Sequence, residues 1–109
     1  MTIYKSVLHP SNGMGAVFED DGETGYFYLW DENATDEMKI RGALRIYNSP
    51  KELAKEDVDV RLNSAGTKAG LFIHDVLWAV WDLQNATSTG GDYVPTGLPD
   101  PLTLGKAFD

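Results

Sequence analysis

The feature that most constrains this chain is a run of aromatic rings directly after a short acidic turn. Residues 18–30 read FEDDGETGYFYLW, so the glycine-containing stretch DDGE separates two segments that favour β-strands. This pattern predicts a β-hairpin with its turn near residues 20–23. Side chains of the returning strand alternate between two faces, with Tyr26, Tyr28 and Trp30 on one and Phe27 and Leu29 on the other. Because both faces are apolar, we expect a central strand that is covered on both sides.

Short strand-like segments recur along the chain, separated by Gly, Pro, Asn or Ser. They are residues 2–8, 14–19, 39–48 and 57–63. The spacing predicts a mainly β, single-domain fold: an antiparallel sheet of about six strands, two-layer or rolled, with one short helix. That helix is expected within residues 49–57, where Ser49 is a candidate cap and Pro50 takes the first helical position.

The segment AGLFIHDVLWAVWDL, residues 69–83, fits either a helix or a hairpin. A helix would make the fold α+β. We favour the hairpin, turning at His74 and Asp75, because Ile, Val and Trp prefer strands and Gly70 weakens a helix. As a strand, the second half would place Leu77, Ala79, Trp81 and Leu83 on one side and Trp78 and Val80 on the other.

The length of 109 residues fits one domain, which we expect to be β-rich over residues 1–84. Residues 85–109 are rich in Gly, Pro, Ser and Thr, and are expected to form an irregular segment that packs on the domain or is partly mobile. The absence of cysteine excludes disulfides and thiolate chemistry. No apolar run approaches a membrane span, and the first residues lack the apolar core of a signal peptide, so we expect a soluble cytoplasmic protein without membrane contact.

The net charge of −8 is concentrated in one stretch of the sequence. Residues 19–37 hold eight acidic and no basic side chains, which leaves nine of each sign elsewhere. Local negative charge attracts basic partners and repels nucleic acid, so the stretch predicts a basic protein partner and no nucleic-acid binding. The candidate partner-binding residues are Glu19, Asp20, Asp21, Glu23, Asp31, Glu32, Asp36 and Glu37.

Motifs for catalysis or cofactor binding are missing from the sequence. There is no Gly-X-Ser-X-Gly, no phosphate-binding loop and no glycine-rich dinucleotide fingerprint. Counting from Asp20 as the first residue of a calcium loop puts Gly22 and Thr24 at ligand positions, so the match fails. We therefore predict no catalytic residue, no cofactor and no metal. A small-ligand or metal site formed by the carboxylates of residues 20–23, with help from His74, is kept as an alternative.

Three phrases, FEDDGETGYFYLW, GALRIYN and KAGLFIHDVLWAVWDL, give the chain a resemblance to a bacterial family of small acidic proteins known only as a domain of unknown function. The resemblance covers about residues 14–83 and implies a compact bacterial domain with no assigned activity. Together with the charge, it favours a non-enzymatic protein-binding module, of which an immunity or antitoxin protein that inhibits a basic partner is one form. A homodimeric structural subunit is the remaining alternative, so both monomer and homodimer stay open.

Overall fold

Two four-stranded antiparallel sheets make up the fold of the computed structural model, which describes residues 2–48, 52–91 and 101–108. In each sheet the strands follow one another in chain order. The N-terminal sheet contains β1 (Ile3–Leu8), β2 (Met14–Asp20), β3 (Gly25–Asp31) and β4 (Ile40–Tyr47). The C-terminal sheet contains β5 (Val58–Leu62), β6 (Lys68–Ile73), β7 (Val76–Asp82) and β8 (Thr87–Gly90). One helix, α1 (Pro101–Phe108), follows, and 3₁₀ turns lie at Asp36–Met38 and Lys55–Asp57. The predicted mainly β antiparallel fold is confirmed.

The core lies between the two sheets. Phe18, Phe27 and Leu29 of the N-terminal sheet and Leu71 of the C-terminal sheet are fully buried in one cluster. Trp81 joins the layers, since its indole N–H donates to the Phe27 carbonyl oxygen at 3.0 Å. Burial of these rings and branched chains is the main stabilising contribution, at roughly 1.5–3 kcal/mol for each large apolar side chain.

Both predicted hairpins are present. β2 pairs with β3 around residues 21–24, and β6 pairs with β7 around His74 and Asp75. These two turn residues have φ of 51° and 63°, the left-handed conformation that the tightest hairpin turns require. A bulge in β7 changes the predicted faces, because Phe72 pairs with Leu77 whereas Leu71 pairs with Ala79. Leu77 therefore shares the outer face with Val80, and the Trp78 ring packs against Tyr47.

The outer faces of the two sheets differ in how far other elements cover them. Helix α1 covers part of the C-terminal sheet: Leu104 is buried, and the Phe108 ring meets the Phe72 ring edge-on at 5.6 Å. On the N-terminal sheet, the side chains that β3 turns outward are only half-buried. The expectation that β3 is covered on both faces is therefore wrong. β3 is central in its sheet, but its inner side chains alone are fully buried.

Two local expectations also differ from the structure. Within residues 49–57, residues 52–54 are not helical and only the 3₁₀ turn Lys55–Asp57 follows, while residues 49–51 lie outside the described part of the chain. The segment expected to be irregular contains β8, which pairs with β7, and α1, which packs on the C-terminal sheet. Residues 92–100 and 109 of this segment lie outside the described part.

Candidate interaction surface

The outer face of the N-terminal sheet carries a stripe of rings along β3. The strand register places Tyr26 between Glu19 and Arg45, Tyr28 between Val17 and Ala43, and Trp30 between Gly15 and Ile40. Large apolar side chains flank the stripe on the edge strands: Tyr4 is 50% exposed, Leu8 is 40% exposed and Ile40 is 52% exposed. We call this surface the ring face and define it by Tyr4, Leu8, Tyr26, Tyr28, Trp30 and Ile40. Exposed apolar side chains grouped on one sheet face with a polar border are typical of an interaction site.

Carboxylates lie next to the rings of this face. The Tyr26 and Tyr28 rings are nearly parallel, with centroids 5.9 Å apart and an interplanar angle of 10°. The indole N–H of Trp30 donates to Glu32 Oε2 at 2.7 Å. Burial raises the pKa of the Tyr28 hydroxyl, and the negative charge of Glu19 raises it further. The ring face therefore has an acidic border that can accept cationic groups.

One acidic end of the face is the turn between β2 and β3. Asp21 closes this turn, since its Oδ1 accepts the backbone N–H groups of Glu23 at 2.9 Å and Thr24 at 2.8 Å. These donors hold the pKa of the Asp21 carboxyl below its ordinary value. Gly22, with φ of 101°, supplies the left-handed backbone conformation that the turn requires. Asp21 and Glu23 are exposed, and Glu19 is half-buried beside Tyr26.

The prediction that Asp20 belongs to the partner-binding surface is wrong. Its side chain is 2% exposed and lies inside the protein, not on the acidic border. One oxygen accepts the hydroxyl of buried Tyr47, and the other accepts the backbone N–H of Gly22 at 2.6 Å. Gly25 makes room for this contact, because a Cβ there would lie 2.6 Å from the Tyr47 ring. Asp20 therefore anchors the turn to the core and is unavailable to a partner.

The other acidic end is the loop between β3 and β4. Here the 3₁₀ turn exposes Asp36 and Glu37. Lys39 Nζ lies 3.3 Å from Glu32 Oε1 and 3.6 Å from Asp36 Oδ1. Together with the Trp30 indole, Lys39 holds the pKa of Glu32 below its ordinary value. Arg41 lies 4.0 Å from Asp31, so two basic side chains partly neutralise this end.

The acidic residues that are contiguous in the sequence are thus divided between two places. The β2–β3 turn and the β3–β4 loop lie at opposite ends of β3, a seven-residue strand of about 20 Å. The structure brings Glu19, Asp21 and Glu23 together at one end, and Asp31, Glu32, Asp36 and Glu37 at the other. Rings occupy the space between them. Sequence reasoning identified the acidic residues but missed the exposed Tyr4, Leu8 and Ile40; the outward register of Tyr4 and Leu8 opposite Glu19 and Gly15 depends on strand pairing.

A cleft lies on the C-terminal sheet. This cleft of about 480 Å³ is lined by charged side chains that include His74, Asp57, Arg61 and Asp75. His74 Nδ1 lies 3.7 Å from Asp57 Oδ1, and Arg61 contacts Asp59 at 2.6 Å and Asp75 at 3.2 Å. Over residues 2–48, 52–91 and 101–108, no three or more His, Asp or Glu side chains form a group that could hold a metal ion. The carboxylates of Asp20, Asp21 and Glu23 do not converge.

Comparison with known proteins places the chain in a family. A family model described as an uncharacterized protein conserved in bacteria (DUF2251) matches residues 2–101. The chain belongs to this family. The match confirms the resemblance and extends it from residues 14–83 to β1, β8 and the first residue of α1. No curated protein and no solved structure matches the chain. Within the described residues of this family member, no helix is long and apolar enough to cross a membrane.

Proposed function

We propose that this protein is a non-enzymatic binding module that holds a basic protein partner on its ring face. The observation that carries the proposal is the placement of half-buried and exposed rings between two acidic ends of one sheet face, on which no helix or strand of the described residues packs. Trp and Tyr are enriched among the few residues that carry most of the binding energy in protein interfaces, and a charged border steers the partner and excludes others.

The sign of the partner's charge follows from the acidic groups around the ring face. The β2–β3 end carries three accessible carboxylates, from Glu19, Asp21 and Glu23, against the basic side chain of Arg45 beside Tyr26. The β3–β4 end carries four carboxylates against the two basic side chains Lys39 and Arg41. A partner with lysine and arginine on its surface complements both ends, and the attraction raises its rate of association at low ionic strength. A second copy of this chain would instead bring the same carboxylates together, with a net charge of −8 on each copy.

Affinity capture with matched charge variants tests this proposal. The immobilised protein is incubated with bacterial extract, and retained proteins are identified by mass spectrometry. We expect the wild type to retain a basic protein that salt elutes, because exposed charge attraction is screened. The double variant Glu19→Gln and Glu23→Gln should lose it. The control Glu52→Gln and Glu56→Gln removes the same charge from exposed residues near β5 and should keep it.

Two results would contradict the proposal. One is retention of the same proteins by wild type and by the Glu19/Glu23 variant, which would show that the acidic border does not contribute to binding. The other is light scattering that gives a stable dimer whose dissociation requires substitutions on the ring face, because a second copy would then occupy that face.

An immunity or antitoxin role is the specific form of this function that we favour. Toxins that act on nucleic acid bind phosphates and tend to be basic, and a small acidic protein can neutralise such a toxin by covering its binding surface. The captured partner should then arrest bacterial growth when expressed alone, and co-expression of this protein should restore growth. A partner without toxicity would contradict the immunity role while leaving the binding module intact.

A further inference from the structure

The outer face of the N-terminal sheet has a row of small side chains across its middle. Ser6, Val17 and Ala43 lie beside Tyr28 in the strand register, on β1, β2 and β4. The rows on either side carry the larger Tyr4 and Tyr26, and Leu8 and Trp30. Tyr28 is therefore the one ring of its row, and its neighbours across the strands are too short to cover the ring.

A carboxylate lies within reach of that ring. Glu19 is the direct neighbour of Tyr26 on β2, which makes it the diagonal neighbour of Tyr28 at roughly 7–8 Å between backbones. Glu19 and Asp21 both place negative charge near the Tyr28 hydroxyl. A ring face beside a carboxylate binds a cation in two ways, by attraction to the π-electrons and by an ion pair.

The geometry favours arginine over lysine. A guanidinium is planar and weakly hydrated, so it can stack on a ring and donate to a carboxylate at the same time. A lysine ammonium is compact and strongly hydrated, and it offers no plane to stack. The aliphatic stem of an arginine would lie over Ala43, whose apolar side chain is exposed, whereas Val17 is 4% exposed and lies beneath the surface.

The C-terminal sheet of the same protein contains an arginine that both stacks on a ring and pairs with carboxylates. The guanidinium of Arg61 lies over the Phe72 ring, with Cζ 4.3 Å from the ring centroid. Asp59, the direct cross-strand neighbour of Phe72, accepts from Arg61 Nε at 2.6 Å, and Asp75 accepts from Nη2 at 3.2 Å. On the N-terminal sheet, Glu19 has the register of Asp59 relative to the Tyr26 ring and is the diagonal neighbour of the Tyr28 ring. The next outward residue of β2 is Val17, which stands where Arg61 stands on β5.

We propose that the basic partner is held by an arginine whose guanidinium stacks on Tyr28 and donates to the Glu19 carboxylate, an inference that rests on the binding function proposed above. The partner class is therefore a protein that presents an exposed arginine, and lysine of equal charge is a poor substitute.

Titration with two model peptides tests this inference. The peptides have the same length and charge, one alternating glycine with arginine and the other glycine with lysine. Backbone amide shifts of the protein report affinity and position. We expect the arginine peptide to bind roughly three- to thirty-fold more tightly, with shifts centred on residues 17, 19, 28 and 43. Tyr28→Phe keeps the ring and should keep the preference, whereas Tyr28→Leu should lose it; thermal melting verifies that both variants are folded.

The outcomes separate the two proposals. Equal affinity of the two peptides, with shifts on the ring face, overturns the arginine contact and leaves the basic-partner function standing. Shifts located away from the ring face, or no shifts with either peptide, overturn both.

Discussion

At the scale of single residues, the most informative side chain is Asp20. It belongs to the acidic stretch by sequence, yet it is buried and accepts hydrogen bonds from Tyr47 and Gly22. Strand alternation gives the reason: Asp20 continues the inward series of Ala16 and Phe18, whereas Glu19 points outward with Val17. The alternation could have been applied to the end of β2 from sequence. The Tyr47 partner could not, because a bulge in the pairing of β3 with β4 determines which residue of β4 faces Gly25.

Removing the Tyr47 hydroxyl should destabilise the protein. Tyr47→Phe leaves one oxygen of the buried Asp20 carboxylate without its donor, and we expect the free energy of unfolding to fall by about 1–3 kcal/mol. Urea unfolding at neutral pH measures the change. Tyr4→Phe makes the same substitution at a half-exposed position and should change stability by less than about 0.5 kcal/mol. Equal effects of the two substitutions would show that the buried hydrogen bond contributes nothing.

The same contact predicts a loss of stability at alkaline pH. Burial, followed by the neighbouring Asp20 carboxylate, raises the pKa of the Tyr47 hydroxyl above the ordinary value of 10.0. Above pH 10 the unfolded chain releases this proton while the folded protein retains it, so the free energy of unfolding falls as pH rises. Between about pH 9 and about pH 11, the free energy of unfolding measured in urea should fall less steeply for Tyr47→Phe than for wild type. Parallel curves would contradict the assignment.

At the scale of elements, the sequence predicted which neighbouring strands pair better than it predicted which sheet face is covered by other elements. The hairpins follow from short ring-rich runs around turn residues, and both occur. Which outer face is covered depends on where the C-terminal residues pack, and composition in a Gly- and Pro-rich segment carries little information about that. The bulge that exchanges the faces of Leu77 and Trp78 also depends on tertiary packing, since Trp78 meets Tyr47 of the other sheet.

The contact between the two sheets predicts a measurable coupling. A Cβ at Gly42 of β4 would lie 2.7 Å from the Trp81 ring of β7, so Gly42→Ala should cost about 1–3 kcal/mol. Trp81→Phe should cost about 1–3 kcal/mol by loss of volume and of the donor to Phe27. The loss of unfolding free energy in the double variant should be smaller than the sum of the losses in the two single variants, because the smaller ring accommodates the methyl group. If urea unfolding shows that the two single losses add up to the loss in the double variant, the sheets do not meet at this point.

The packing of α1 is tested by its one fully buried side chain among residues 104–108. Leu104 is 1% exposed, and we expect Leu104→Ala to lower the free energy of unfolding by about 2–5 kcal/mol. Lys106→Ala, an exposed position on the same helix, should change it by less than about 0.5 kcal/mol. Thermal or urea unfolding in which both variants match wild type would mean that α1 does not cover the C-terminal sheet in solution.

At the scale of the whole molecule, the two outer faces have different fates. The C-terminal sheet is partly covered by its own helix, whereas the N-terminal sheet presents rings between two acidic ends. The charge and the hairpin of this surface were predictable from sequence. Its extent was not, because residues from β1, β3 and β4 that are distant in the chain become neighbours only through sheet order.

The affinity of the captured basic partner for two lysine variants tests the central claim most directly. Tyr28→Lys places a positive charge in the middle of the ring face, and Thr87→Lys places the same charge on an exposed position of β8. Calorimetric titration should give a dissociation constant roughly thirty-fold or more weaker for Tyr28→Lys, the loss expected for a central interface residue, and one within about two-fold of wild type for Thr87→Lys. Equal affinities for the two variants, or a loss at Thr87 alone, would contradict the assignment of the ring face as the binding surface.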